Sequence, residues 1–359
     1  MKIGQKWAFC KGLKLILIIY SALVCLSSEK PVFGREPPYP ASPVIDRVIW
    51  DFTTLVKLAY GSDNFPVTWA DDDNQYTTWG DGKGFSGSGS KKSLGVSRIS
   101  GPFESCTTTD LWDSDGKSYG IISIAGMLYM WKGPGSLTKA WTESGLYMSK
   151  NHGRSWSKAG WAFCWDDAVF HPTFLQFGKD YEGARDNFVY VYAPERKSSK
   201  WEVQKPGEIS LWRVPKTHIM DRRKYQFFAG LDKNGKPIWT ETFALRRPVF
   251  RDTVNGIFNT SVSYNPGIGR YLLITEHTSF ACSNVGIYDA PEPWGPWTTV
   301  AFETGWGAPT IAKKTFFWNF SNKWLSPDGK EFVLIFTGIG THDACNMVRG
   351  RFILRKNKN

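Results

Sequence analysis

Helical periodicity is almost absent from this 359-residue chain, and so is any apolar run of the roughly 20 residues that a membrane span needs. Charged residues make up only 21%, and no nucleic-acid-binding motif accompanies the basic ones. No two cysteines stand in a CxxC spacing, which disfavours a zinc site. These absences exclude a coiled coil, a helix bundle and a disordered chain. Against them stand 42% hydrophobic residues, 35 Gly and 18 Trp. That share can bury a sizeable core, and aromatic runs broken by Gly and Pro suggest short strands, so the composition points to an all-β protein. Trp stacks well and is more abundant here than one core usually needs, which favours aromatic faces lining a groove.

The formal charge is +11, and without Lys2, Lys6, Lys11 and Lys14 of the leader it is +7. The remainder is scattered, with small groups at Lys91 and Lys92, Arg222 to Lys224, and Arg246 and Arg247. This reads as a solvated basic surface, with no nucleic-acid partner expected. The leader has a basic start, an apolar run from Leu13 to Leu26 and small residues at Ser27 and Ser28, the order of a secretory signal peptide. We therefore expect a signal peptide over 1–27, a Pro-rich linker over 28–43 and one folded domain over 44–355. The mature chain would be secreted, periplasmic or at the cell surface, monomeric and without a stable membrane span. An uncleaved anchor is the alternative, because Cys25 and Ser27 make a poor cleavage site. Cys106, Cys164, Cys282 and Cys345 follow the leader. They are either two disulfides of an exported protein or small buried hydrophobes.

Strand-like runs recur in five blocks: Val67 to Ala70 with Gln75 to Gly80, Gly120 to Trp131 with Gly145 to Ser149, Asn187 to Ala193 with Glu208 to Val214, Arg270 to Glu276 with Val285 to Asp289, and Thr315 to Trp318 with Glu331 to Gly338. Each ends in turn-forming residues. Five blocks of roughly 50 to 60 residues predict a five-bladed β-propeller with four-stranded blades. Ser149-Lys-Asn-His-Gly-Arg-Ser-Trp156 resembles the Asp-box turn of sialidase-type propellers, with Asn in place of Asp. Its polar residue would bond its own turn, its Gly take the tight backbone and its Trp pack on the blade. Gly286 to Trp297 is a strand followed by a Pro/Trp turn.

The most informative stretch runs from Gly61 to Gly84, with Asp63, Asp71, Asp72, Asp73 and Asp81 between Trp69 and Trp79 or just outside them. Asp63 leads into one strand and Asp81 leaves the next, so an antiparallel hairpin brings the two together. Asp81 also stands between Gly80 and Gly82, which allows close approach of backbone and ligand. Asp71 to Asp73 read as a solvated tip, with Asp72 a candidate substrate contact. The tip lacks the Gly and Glu of an EF-hand loop. No cofactor is expected, and a structural calcium has no ligand set that can be spelled out. Trp69 and Trp79 are candidate stacking platforms. Glu276, at the end of an apolar strand, is a candidate acid or else a surface Glu. Asp166, His171 and His277 are candidate contacts for hydroxyl groups, or structural side chains. His342 beside Asp343 has no nucleophile motif nearby and is discounted as a triad. Asn259-Thr-Ser261 and Asn319-Phe-Ser321 match the glycosylation pattern.

The string TWADDDNQYTTWGDGKGF, preceded by GSDNFP, resembles the signature of an exported family, domain of unknown function 4185, which includes endo-D-arabinanases. The likeness extends from about Val44 to Leu354. It implies a five-bladed propeller with a glycosidase-like carboxylate pocket, in which Asp63 and Asp81 match catalytic aspartates. Glycosidases need two carboxyl groups flanking the scissile bond, about 5 Å apart for retention and about 6.5 to 9.5 Å for inversion. The expected function is therefore an exported glycoside hydrolase acting on a polysaccharide, with arabinan-type furanosides the implied class. A carbohydrate-binding propeller without catalysis is the alternative.

Overall fold

The computed structural model describes residues 36–134, 142–311 and 314–356. The expected signal peptide and the first half of the expected linker lie outside the described residues. The end of that linker is built into the fold: Tyr39 packs on Phe250 and Tyr288, and the Tyr39 and Pro40 carbonyls accept from Thr299. The folded part thus begins before Val44.

The first strand, β1 (Ile45–Leu58), alternates between half-buried and exposed residues. A first antiparallel meander follows, of β2 (Val67–Trp69), β3 (Gln75–Trp79), β4 (Leu94–Ser100) and β5 (Thr107–Ser114). A second holds β6 (Lys117–Ile124), β7 (Met127–Gly133), β8 (Glu143–Ser149) and β9 (Ser157–Cys164). Next come β10 (Thr173–Gln176), β11 (Phe188–Pro194), β12 (Gly207–Pro215), β13 (Gln226–Leu231), β14 (Pro237–Thr240) and β15 (Pro248–Asp252), with β15 also paired to β12. They precede β16 (Thr260–Asn265), β17 (Arg270–Glu276), β18 (Val285–Ala290) and β19 (Thr298–Glu303). These last two groups form one ten-stranded sheet, because β10 and β16 pair in parallel at Leu175 with Val262 and Gln176 with Ser263. The final sheet is β20 (Thr315–Phe320), β21 (Glu331–Gly338) and β22 (Cys345–Leu354), with β1 as its outer strand.

The protein is therefore all-β, and among the described residues its only helical segments are short 3-10 turns. Among the described residues no helix is long and apolar enough to cross a membrane. The inner strands are packed on both faces: every residue of β6, β17, β18 and β20 is buried, which gives continuous apolar runs rather than alternation. The first strands of the groups lie side by side, β2 with β6, β6 with β10, β10 with β16 and β16 with β20. Ser321, just after β20, donates to Gln75 of β3 at 2.6 Å and ties the last group to the first. The four cysteines form no disulfide; Cys345 is buried, and Cys164 and Cys282 are exposed. Asn259 and Asn319 of the two glycosylation motifs are buried, out of reach of a glycan-transferring enzyme.

Candidate active site

Antiparallel pairing brings the start of β2 to the end of β3. The Asp63 N–H donates to the Gly80 carbonyl at 2.9 Å and the Gly80 N–H to the Asp63 carbonyl at 2.7 Å. Asp81 follows at once, so the two carboxylates share one end of the hairpin. The glycines around Asp81 are there for space. A Cβ on Gly80 would stand 2.6 Å from Asp63 Oδ1 and 3.0 Å from Lys117 Nζ, and one on Gly82 would overlap Ser62. Asp81 and Asn64 both adopt left-handed backbone, with φ of 49° and 58°. That conformation is uncommon outside glycine and concentrates at functional sites.

Asp63, Asn64, Asp81 and Lys117 form the polar half of a cavity of about 310 Å3, and Tyr119, Trp201, Phe280 and Phe316 form its aromatic half. Lys117 and Tyr119 come from the start of β6, Phe316 from the start of β20, Trp201 from the β11–β12 loop and Phe280 from the β17–β18 loop. One end of the inner strands thus supplies the whole wall. The Lys117 ammonium lies 2.6 Å from Asp81 Oδ1, and Asn64 Nδ2 donates to Asp63 Oδ1 at 2.8 Å. Burial pushes the Asp63 carboxyl up to about 6, against the pull of Lys117 and with a further push from Asp81 and Asp343. Burial raises the Tyr119 phenol well above its ordinary range, helped by the charges of Asp63, Asp81 and Glu276.

The other expected site residues divide. Glu276 is only 1% exposed and does not reach the cavity wall. Asn259 Nδ2 donates to its Oε1 at 2.9 Å and the Ala281 N–H to its Oε2 at 3.0 Å, while burial pushes its carboxyl up to about 8. It supports the site from behind, holding the loop that carries Phe280, and is not a surface Glu. His171 is enclosed behind the cavity, its ring 3.5 Å from that of Tyr119. Burial, and then Lys117, hold it well below the ordinary histidine range and therefore neutral. His277 is buried and stacked on Phe302 at 3.8 Å, with Nε2 on the Glu303 carbonyl, so it is structural.

Trp79 is a correction. It is 3% exposed, its indole N–H donates to Ser97 Oγ at 2.7 Å, and it packs with Phe65, Val67 and Val333 in a core between sheets. Trp69 and Asp72 sit at the far tip of the hairpin, where Trp69 bonds Asp73 and Asp72 accepts from Tyr76 and Asn74. Trp69 follows Asp63 by six residues and lies at the opposite end of β2. Asp166 lies exposed on a 3-10 turn and takes no part in the cavity. At the hairpin tip Asp71, Asp72 and His152 bring three ligand atoms within 4.8 Å, but His152 already pairs with Asp71 at 2.8 Å.

Sequence reasoning missed Lys117, Tyr119, Asn64, Trp201, Phe280 and Phe316. The glycines on either side of Asp81 were the trace of the site in the sequence; the aromatic wall left none, because four different loops or strand ends assemble it. The aromatic faces that line the cavity include Trp201, Phe280 and Phe316, and neither Trp69 nor Trp79 is among them.

The family model described as Domain of unknown function (DUF4185) matches residues 109–311 of the chain. No curated protein matches it. Among solved structures it is similar to RS223-Beta-xylosidase, at 12% identity and a TM-score of 0.52 over 85% of this chain and 96% of the other. A GH43_1 enzyme from Xanthomonas citri gives 12% and 0.51 over 84% and 90%. The xylan beta-1,4-xylosidase from Bacillus halodurans C-125 gives 11% and 0.51 over 84% and 54%. At these identities the likeness is one of fold.

Proposed function

The chain belongs to the family of the domain of unknown function (DUF4185), and on that premise we propose that it is a glycoside hydrolase centred on Asp63 and Asp81. The observation that carries the reading is the divided cavity. One half presents two carboxyl groups and an ammonium, and the other presents aromatic faces of the kind that stack on the apolar side of a sugar ring. Asp63, raised to about 6, is the proton donor to the leaving oxygen. Asp81, ion-paired with Lys117, attacks the anomeric carbon or takes a proton from the attacking water. The fold resemblance to xylosidases supports the reaction class, and the five antiparallel groups are read as the five blades of a propeller whose inner strands meet at the site. Arabinan-type furanosides are the first substrates to try, and the leader is read as an export signal.

The test is a screen of the leaderless protein against arabinans, other furanosides and common plant and microbial glycans, with products followed by mass spectrometry. Turnover is expected on at least one, and Asp81→Asn is expected to lower it by about 10²-fold or more with the circular dichroism unchanged. Full activity in that variant overturns the assignment. Binding without product by the wild type would instead identify a carbohydrate-binding protein that uses the aromatic wall alone.

A further inference from the structure

Two carboxyl groups that share a cavity can work as acid and base only if something makes them different. We propose that Lys117 is the positioning residue that does so, holding Asp81 as an ion-paired carboxylate and standing beside Asp63 as the cation that limits how tightly Asp63 keeps its proton. The proposal rests on the glycosidase reading of this pair.

Three observations carry it. Lys117 is 6% exposed, whereas its partner Asp81 is 42% exposed, so the ammonium is the buried member of the pair. A buried charge is destabilising unless it is paired, and among the described residues Lys117 makes no ion pair except that with Asp81. Second, the missing side chain of Gly80 admits both Asp63 Oδ1 and Lys117 Nζ to the same small space. The lysine head therefore touches Asp81 and stands across the Gly80 gap from Asp63. Third, Lys117 is the first residue of β6 and Tyr119 stands two positions on, so the strand presents both to the cavity. A lysine in this position has a site to serve rather than a surface to solvate.

The groups that face Asp63 are Lys117 from β6, Asp81 after β3, Asp343 before β22, the Asn64 amide and the Tyr119 phenol. Lys117 is the cation among them. Without it, burial and two neighbouring carboxyl groups are opposed only by the Asn64 hydrogen bond, and the midpoint rises above about 6.

The experiment is a carbon-13 NMR titration of aspartate-labelled, leaderless protein, as wild type, Lys117→Met and Lys117→Arg. Lys117→Met is expected to raise the Asp63 midpoint by about one pH unit or more, the usual effect of a close opposite charge, and Lys117→Arg to keep it near the wild type. An unchanged Asp63 midpoint in folded Lys117→Met overturns the proposal. Should that variant not fold, Lys117→Gln is titrated in its place and read in the same way. With a substrate in hand, kcat of Lys117→Met is expected to fall about tenfold or more with KM within about threefold, and the alkaline limb of its pH profile to move upward with Asp63. A merely structural lysine would leave that limb in place. The titration needs no substrate, so a chain that hydrolyses nothing defeats the glycosidase reading while the NMR result still decides the role of Lys117.

Discussion

Gly80→Ala is the smallest change that would disturb the pair of aspartates. The added methyl meets Asp63 Oδ1, Lys117 Nζ and the Ser93 carbonyl; the first two are side-chain ends that can swing aside, and the fold should survive. Displacing them by a fraction of an ångström is expected to lower kcat by roughly tenfold to 10²-fold, with the melting midpoint little changed in a calorimetric scan. The proton on Asp63 sets a pH limit too. Its folded midpoint is raised to about 6, and as the proposed acid it would work only when protonated, so kcat is expected to decline as pH rises through about 6. A profile flat from pH 5 to 8 would contradict the assignment. The glycines flanking Asp81 were a legible sign of this site, because a gap in side-chain volume is written in the sequence. Trp69 and Trp79 misled for a related reason: nearness along the chain is not nearness to Asp63. One tryptophan is at the far tip and the other is core.

At the scale of an element, the Ser149 to Trp156 turn behaves as its letters suggest. Asn151 Oδ1 accepts from the Ser155 N–H at 2.9 Å, Gly153 takes φ of 83°, and the Trp156 indole donates to the Gly153 carbonyl at 3.1 Å. Asn151→Ala is expected to cost about 1 kcal/mol, read as a lower urea midpoint, with no effect on the aspartate titrations. The β17–β18 loop is the more consequential element. Glu276 closes β17 and accepts from the Ala281 N–H beneath the residue that carries Phe280 into the cavity. Its carboxyl is raised to about 8 by burial, so between its ordinary range and about 8 the folded protein holds a proton that the unfolded chain has lost. Stability from this group is therefore greatest in acid and declines as pH rises toward 8. Glu276→Gln, which cannot ionise, is expected to flatten that decline in urea melts compared between pH 5 and pH 8. An equal slope in the variant would place the effect elsewhere.

Across the whole molecule, the longest strand joins the two ends of the folded chain. β1 pairs antiparallel with β22 from Ile45 opposite Leu354 to Leu58 opposite Cys345, and Trp50 packs edge-on against Trp306 and Phe332. A chain beginning at Ala59 is expected to lose the cooperative thermal transition, as followed by circular dichroism. β1 was hard to foresee because its half-exposed residues mix polar and apolar types, whereas the doubly buried inner strands announce themselves as apolar runs. The blocks from Val67 to Gly338 anticipated β2, β6 and β20 among the first strands of the groups but passed over β10 and β16, and Gly120 to Trp131 proves to be two strands around the Ala125-Gly126 turn. By itself the sequence determined the all-β class, the turns and the meeting of Asp63 with Asp81, because strand burial, turn chemistry and hairpin pairing are local. Only the tertiary structure decided that Lys117, Tyr119, Trp201, Phe280 and Phe316 complete the cavity. They lie on four groups of strands, and it is the side-by-side packing of the inner strands that carries their ends to one place.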